Sequence, residues 1–259
     1  MRILLSNDDG ILAPGLSALR RAVADLGEVA VVAPESPQSA AAHSITLKAL
    51  LTVRQVRLGD RGESFTGMSV DGRPADCVRL AVRKLLTAPV DLVLSGINAG
   101  ANVGVNVFYS GTVAAAAEAA MLGLPAVAFS AAETGEQIDF ARLARLCRAV
   151  LDELLAAGLA GGQLVNVNIP ALGPDLPRGV RVVPQSAAGV EDIYHRHEHP
   201  QGLEAYKLGD EYNFIGTELA SDVACLAEGY ITVTPLKVDM TDHARLAELA
   251  ERPWPKLPP

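Results

Sequence analysis

The sequence predicts an α/β fold: a doubly wound, Rossmann-like and mostly parallel sheet, followed by a C-terminal β-rich arm and a terminal helix. Three observations carry this. Short runs rich in Val, Leu and Ile alternate with helical stretches up to Pro170, the pattern of parallel strands joined by crossover helices. After Pro170 the texture changes, as proline, glycine and polar residues break the periodicity. A chain of 259 residues can also bury a large core, enough for one α/β domain with an appendage. The chain is therefore read as a single domain, 1–259, with a core over 1–170 and a β-rich arm and C-terminal segment over 171–259.

The elements follow in order. Arg2–Ser6 is apolar enough for a strand buried on both faces, Pro14–Leu26 is helical, and Val29–Ala33 is the second strand. Pro74–Leu86 is a helix with Pro74 at its first position, where the missing N–H costs nothing. Leu92–Ser95 is a third strand, Gly111–Leu122 an Ala-rich helix and Ala126–Ser130 a fourth strand. In Phe140–Ala157 the residues Leu143, Leu146, Cys147, Val150, Leu151, Leu154 and Leu155 recur at i, i+3 and i+4, which marks one buried helix face. Leu164–Ile169 is the fifth strand. Beyond it, Gly173-Pro174 and Pro177 punctuate the chain, and a polar stretch runs through His195-Arg196-His197-Glu198-His199. A strand is expected over Tyr230–Leu236 and a helix over Asp242–Glu251, while the prolines from Arg252 to Pro259 forbid further helix.

Composition narrows the function. The formal charge is −8, from 30 acidic and 22 basic side chains. An acidic balance argues against binding a nucleic-acid backbone, which needs clustered Lys and Arg, so no duplex partner is expected. No run of roughly 18 apolar residues escapes interruption, so no membrane span is expected. Cys77, Cys147 and Cys225 are odd in number and widely spaced, the pattern of free thiols in a reducing compartment. With no leader-like segment before the first strand, the expected location is cytoplasmic.

The chemistry gathers in loops. Asn7-Asp8-Asp9-Gly10 places two adjacent carboxylates at the end of the first strand, where the chemistry of open α/β sheets collects. They repel each other unless a cation or shared proton compensates. No basic residue follows closely, so a divalent metal is the simplest partner; an N-cap and turn is the structural alternative. Ser95-Gly96-Ile97-Asn98-Ala99-Gly100-Ala101-Asn102 then feeds a strand into a Gly-rich loop bearing two carboxamides, able to offer oxygen to a hard cation and N–H to an anion. It matches neither a dinucleotide fingerprint nor a P-loop. Tyr109-Ser110-Gly111-Thr112 opens a helix with free amides, hydroxyls and the positive end of the dipole, either a phosphate cradle or an ordinary cap. The loop Ala33–Ala40 reaches the same sheet edge and carries Ser39.

Together these segments resemble the SurE family of survival-protein nucleotidases. The resemblance rests on Leu5–Gly10, Ala33-Pro34 with Ser39 and Ser44-Ile45-Thr46, Pro74–Val78, Ser95–Asn102, Tyr109–Val113, Asn166–Pro170 and Val233–Leu236, in order over about residues 1–240. It implies a metal-dependent phosphomonoesterase acting on nucleoside 5′- and 3′-monophosphates, and leaves short polyphosphate open as a further substrate. It implies one divalent ion per subunit, Mg2+ or Mn2+, and a homodimer or homotetramer whose C-terminal segments exchange. Carried over by position, Asp8, Asp9, Ser39 and Asn98 hold the metal, with Asp8, Asp9 and Asn98 also counted as catalytic, while Asn102, Ser110, Gly111 and Thr112 meet the phosphate. His43, in the Ser39 loop, is placed to reach substrate or leaving group, with a structural role equally open. The chain departs from the pattern at Ala40, where Gly is usual, at Arg73, where Thr is common, and along Val183–Ser186. The expected reaction is metal-assisted hydrolysis by water, since both carboxylates are committed to the ion.

Other readings fare worse. Cys77 and Arg83 satisfy the bare Cys-x5-Arg string of cysteine phosphatases, but the intervening residues fit a helix with Cys77 on its buried face. His195, His197 and His199 would share a face on a strand and offer zinc ligands, but a solvated loop is preferred. A haloacid-dehalogenase-type phosphatase wants Asp-x-Asp, whereas Asp8 and Asp9 are adjacent. The alternative from another class is a non-catalytic nucleotide- or phosphate-sensing protein, which would bind without turnover or metal.

Overall fold

The computed structural model describes residues 1–60, 63–133, 138–173, 177–209 and 213–255. Pro174 and the tail 256–259, read above as chain-breaking, lie outside the described residues. The chain runs through β1 (Arg2–Ser6), α1 (Pro14–Val23), β2 (Glu28–Pro34), a hairpin of β3 (Val53–Asp60) and β4 (Glu63–Val70), and α2 (Pro74–Leu80). It continues with β5 (Leu92–Ala99), α3 (Gly111–Met121), β6 (Ala126–Ala131), α4 (Phe140–Ala156) and β7 (Leu164–Ile169). Then come β8 (Val180–Val182), β9 (Gly189–Glu191), β10 (Tyr194–Glu198), β11 (Glu204–Leu208), β12 (Asn213–Ile215), α5 (Asp222–Ala227), β13 (Ile231–Leu236) and α6 (His243–Ala250).

Among the described residues one nine-stranded sheet takes the order β3-β4-β2-β1-β5-β6-β7-β13-β8. The central run from β4 to β7 is parallel throughout. Strands β3 and β13 are antiparallel to β4 and β7, and β8 is parallel to β13. The expected mostly parallel, doubly wound sheet is present. Its order reverses at β1, which the chain leaves for β2 on one side and later for β5 on the other. Loops beyond strands at such a switch point diverge and leave a crevice.

Alternation along β1 sends Ile3 and Leu5 to one face and Leu4 to the other. Ile3 and Leu5 share a core layer with Leu16 and Leu19 of α1 and with Cys147 and Leu151 of α4. Leu4 belongs to the opposite layer, with Cys77 and Val78 of α2 and Ala115, Ala116 and Ala119 of α3. The small alanine side chains let α3 lie close to the sheet, which sets its first turn beside the ends of β1 and β5.

Several expectations change in detail. The helix read over Pro74–Leu86 ends at Leu80 and continues as a π turn, Ala81–Leu85. Strand β5 runs on to Ala99, with a register shift against β6 between Ser95 and Asn98. Bulges of this kind bend a strand and re-aim its side chains, here those of the Asn98 loop. Residues beyond Pro170 supply β8 and β13 to the central sheet, and the rest of that segment forms two ribbons, β10–β11 and β9–β12. His195 and His197 lie on exposed β10 rather than in a loop, because β10 pairs with β11. Among the described residues no three His, Cys, Asp or Glu are grouped to hold a metal ion. None of the helices described is long and apolar enough to cross a membrane.

Candidate active site

The crevice at the switch point holds a cavity of about 560 Å³. Asp8 and Asp9 enter it from the turn after β1, Ser39 from the loop after β2, and Asn98 and Asn102 from the end of β5 and its loop. Ser110, at the head of α3, Glu133, just past β6, and Asn106 add to the polar lining. Tyr109 and Phe214 add aromatic surface, Phe214 coming from β12 in the arm. Asp8, Asp9, Ser39, Asn98, Asn102 and Ser110, all singled out from the sequence, are thus brought to one cavity. Its lining contains three carboxylates and no Lys, Arg or His among the described residues.

The turn that carries the two aspartates is held from both sides. Asn7 Nδ2 donates to the Gly10 carbonyl at 3.0 Å, and the Ile11 amide donates to the Pro34 carbonyl at 2.8 Å. The Gln38 amide donates to the Asp8 carbonyl at 2.8 Å, which ties the Ser39 loop to the same turn.

Asp8 is almost wholly buried and faces the first turn of α3. Its carboxylate accepts from the Thr112 hydroxyl, and the nearby backbone amides of Gly111 and Thr112 favour its charged form. A Cβ on Gly111 would lie 2.7 Å from Asp8 Cβ, so glycine is required there for the close approach. Gly111 and Thr112, expected to meet the phosphate, face Asp8 in this structure, a carboxylate at the positive end of the helix. Ser110 acts as the helix cap, its Oγ accepting from the Val113 amide at 3.0 Å, and also borders the cavity.

Burial pushes the Asp8 carboxyl above its ordinary value, against the lowering effect of the Thr112 hydroxyl. Asp9 is pushed up to about 6, first by burial and then by the neighbouring Asp8 charge, with Glu133 adding to it. The nearby Ala99 backbone amide works the other way. Two carboxylates that resist ionisation in the same cavity fit a site for a hard divalent cation, which would remove both penalties. Ser39 and Asn98 are neutral oxygen donors of the type such ions accept. Asn98 Nδ2 donates to the Gly100 carbonyl at 2.6 Å, so its oxygen is the atom left for a cation.

Asn102 is clamped through its peptide group. Its amide donates to Asn168 Oδ1 at 2.8 Å, and its carbonyl accepts from Asn166 Nδ2 at 2.8 Å and Asn168 Nδ2 at 3.1 Å. Its own Nδ2 donates to Ser130 Oγ at 2.8 Å. Asn166 and Asn168 are therefore positioning residues that sequence reasoning did not assign. The signal was present, since two asparagines on one face of an otherwise apolar strand must find partners. Asp222 was also missed. It is fully buried and accepts from the amides of Gly104 at 2.9 Å, Ser186 at 2.8 Å and Val223 at 2.8 Å, which ties the arm to the loop after β5.

Two further residues of the Ser39 loop were singled out from the sequence. His43 does not line this cavity: its Nε2 lies 3.0 Å from Glu118 Oε2, two turns into α3, and the ring faces a neighbouring apolar cavity that shares Ser110. Ala40, noted for replacing a usual Gly, has φ of 51°, the left-handed region that glycine adopts more easily. The cysteine-phosphatase reading fails on geometry, as Cys77 is buried in the α2 layer and burial drives its thiol far above the ordinary range.

Comparison with known proteins points the same way. The family model described as survival protein SurE matches residues 3–192. The chain is 41% identical over 251 residues to the 5′-nucleotidase SurE of Syntrophobacter fumaroxidans, covering 97% of this chain and 99% of that one. It is 43% identical over 255 residues to the 5′-nucleotidase SurE 1 of Thermus thermophilus, covering 96% and 97%. The crystal structure of the SurE protein from Aquifex aeolicus superimposes with a TM-score of 0.81 at 36% identity, covering 96% of this chain and 98% of that one.

Proposed function

The chain belongs to the survival protein SurE family, and from that premise we propose that it is a metal-dependent nucleotidase hydrolysing nucleoside 5′- and 3′-monophosphates to nucleoside and phosphate. One observation carries the metal requirement. The cavity gathers Asp8, Asp9 and Glu133 with no basic side chain among its described lining. A phosphate dianion entering such a field meets repulsion unless a cation is there first.

Asp8, Asp9, Ser39 and Asn98 would hold one Mg2+ or Mn2+, which when bound polarises a phosphoryl oxygen and makes a coordinated water more acidic. Asp8 is fixed beforehand by Gly111 and Thr112, so little reorganisation is needed when the ion arrives. Ser110 and Asn102 are the residues proposed to meet the phosphate oxygens. The Ser110 hydroxyl proton is free to donate, because the Oγ acts only as acceptor in the helix cap. Water attacks phosphorus, the ester P–O bond breaks, and the nucleoside leaves with a proton. Tyr109 and Phe214 form the aromatic wall offered to the nucleoside. Short polyphosphate, which lacks a base, would use the carboxylate end alone.

Helix α6 has no buried residue and leaves Leu246 exposed, along with Val238 and Met240 just before it. An unpartnered amphipathic helix is the segment proposed to join subunits in a homodimer or homotetramer. The cytoplasmic location expected above stays a proposal, supported by three free and buried cysteines.

The test is phosphate release from a panel of nucleoside 5′- and 3′-monophosphates, with Mn2+, with Mg2+ and with chelator. Metal-dependent release is expected. Binding of nucleotides by a folded protein with no release under any metal would overturn the enzyme reading in favour of a sensor.

A further inference from the structure

We infer that His43 is a positioning residue for the Ser39 loop, acting through the buried carboxylate of Glu118; the inference rests on the reading of Ser39 as a metal ligand. Glu118 lies seven residues after Gly111 on α3, close to two full turns, so it is on the same face of the helix as the residue against Asp8. It is 2% exposed. A carboxylate buried to that degree needs partners, and it has two: His43 Nε2 at 3.0 Å from Oε2 and Arg79 Nε at 3.5 Å from Oε1. Arg79 is half exposed and the longer contact, whereas His43 is closer and belongs to the loop that matters for the site.

That loop does not hold its shape by local preference. Ala40 and Ala42 have φ of 51° and 52°, a region alanine disfavours and keeps only where surrounding structure imposes it. On the upstream side Arg73 Nη1 donates to Gln38 Oε1 at 2.7 Å, and the Gln38 amide reaches the Asp8 carbonyl. On the downstream side the Ala42 amide donates to the Tyr109 carbonyl at 3.0 Å. Next in the chain, His43 fastens to Glu118. The strained pair is thus clamped between anchors, and Ser39 sits at its start. One helix therefore sets both Asp8, from its first turn, and Ser39, from two turns further on. Without His43 the downstream side keeps the Ala42 amide on Tyr109, the local bond of the Ser44 hydroxyl to the Ala41 carbonyl at 2.7 Å and, three residues on, the Thr46 amide on Asp76 at 3.0 Å. It loses its tie to α3, and the strain can relax by moving Ser39 out of the cavity.

The experiment is a calorimetric titration of the full-length protein with Mn2+, for wild type, Ser39→Ala, His43→Ala, His43→Gln and the Ser39→Ala/His43→Ala double variant. Melting of each metal-free variant verifies the fold. Residues that orient metal ligands typically change affinity by about 10- to 100-fold, and His43→Ala is expected at the lower end. Because it acts through Ser39, the double variant should bind within about twofold of Ser39→Ala alone. His43→Gln, whose amide can donate to the same carboxylate, should recover most of the loss. Wild-type affinity in His43→Ala, with Ser39→Ala weakened, would overturn the inference, and so would effects that multiply in the double variant. Unchanged affinity in Ser39→Ala would overturn the ligand reading itself, a distinct outcome of the same titration that removes this inference with it.

Discussion

Asp9→Asn should make the metal-free protein more stable at neutral pH while abolishing its function. The side chain is pushed up to about 6 from an ordinary 3.8, by burial and by the Asp8 charge beside it. At 1.36 kcal/mol per pH unit, ionising it in the folded chain costs at most ~3 kcal/mol, and less to the extent that solvent screens a partly exposed group. The sign follows from the direction of the shift. The folded state binds this proton more tightly than the unfolded state, so the group favours folding at low pH. That contribution disappears as the pH rises from about 4 through about 6. Asparagine removes the charge and keeps the shape. In the presence of chelator, the variant and wild type should converge toward pH 3 and below, where Asp9 is largely protonated in both states. Above pH 7 the variant should gain up to ~3 kcal/mol, or roughly 6 to 10 °C for a domain of this size. Saturating Mn2+ should reverse the order, since it stabilises only the chain with both carboxylates. Equal stability of the two proteins at every pH, or a variant weakened at pH 7.5 without metal, would refute the claim that burial and the Asp8 charge oppose ionisation of Asp9.

Other consequences are as direct. Thr112→Val removes the hydroxyl on Asp8 and should weaken Mn2+ binding by about 10- to 100-fold with a small change in melting temperature, read by calorimetry. Phe214→Ala should raise KM for nucleoside monophosphates by about tenfold, from the loss of ~1–3 kcal/mol of base stacking, and leave turnover of a simple alkyl phosphate unchanged. Asp222→Ala strands the buried amides of Gly104 and Ser186 and should destabilise the protein by ~3 kcal/mol or more in urea melts.

Much of the fold was legible because its strands are buried on both faces. β1, β6 and β7 read as near-continuous apolar runs, and their ends fall within a residue of expectation. The β3–β4 hairpin was not read, because edge strands such as VRQVRLGD and ESFTGMSV carry polar residues on both faces and give no clear period. The short strands of the arm are exposed and stabilised by pairing with each other, which local sequence does not encode. Within the site, Asp8, Asp9, Ser39 and Asn98 were legible as candidate oxygen donors, and the structure brings them to one cavity. What stayed hidden was which donor meets which acceptor. Thr112 turns to Asp8, Asn166 and Asn168 clamp the Asn102 peptide, and Glu118 takes His43. Each of these pairs spans tens of residues, so only the assembled sheet and α3 bring them together.

The central claim is that turnover requires one divalent ion on the Asp8–Asp9 pair. A single Mn2+ titration of chelator-stripped protein, followed by calorimetry and by phosphate release from a nucleoside monophosphate, tests it most directly. The prediction is one ion per chain, with release rising in proportion to occupancy and neither seen in Asp9→Asn. Full turnover by the metal-free protein, or stoichiometric binding that leaves the rate at zero, would contradict it.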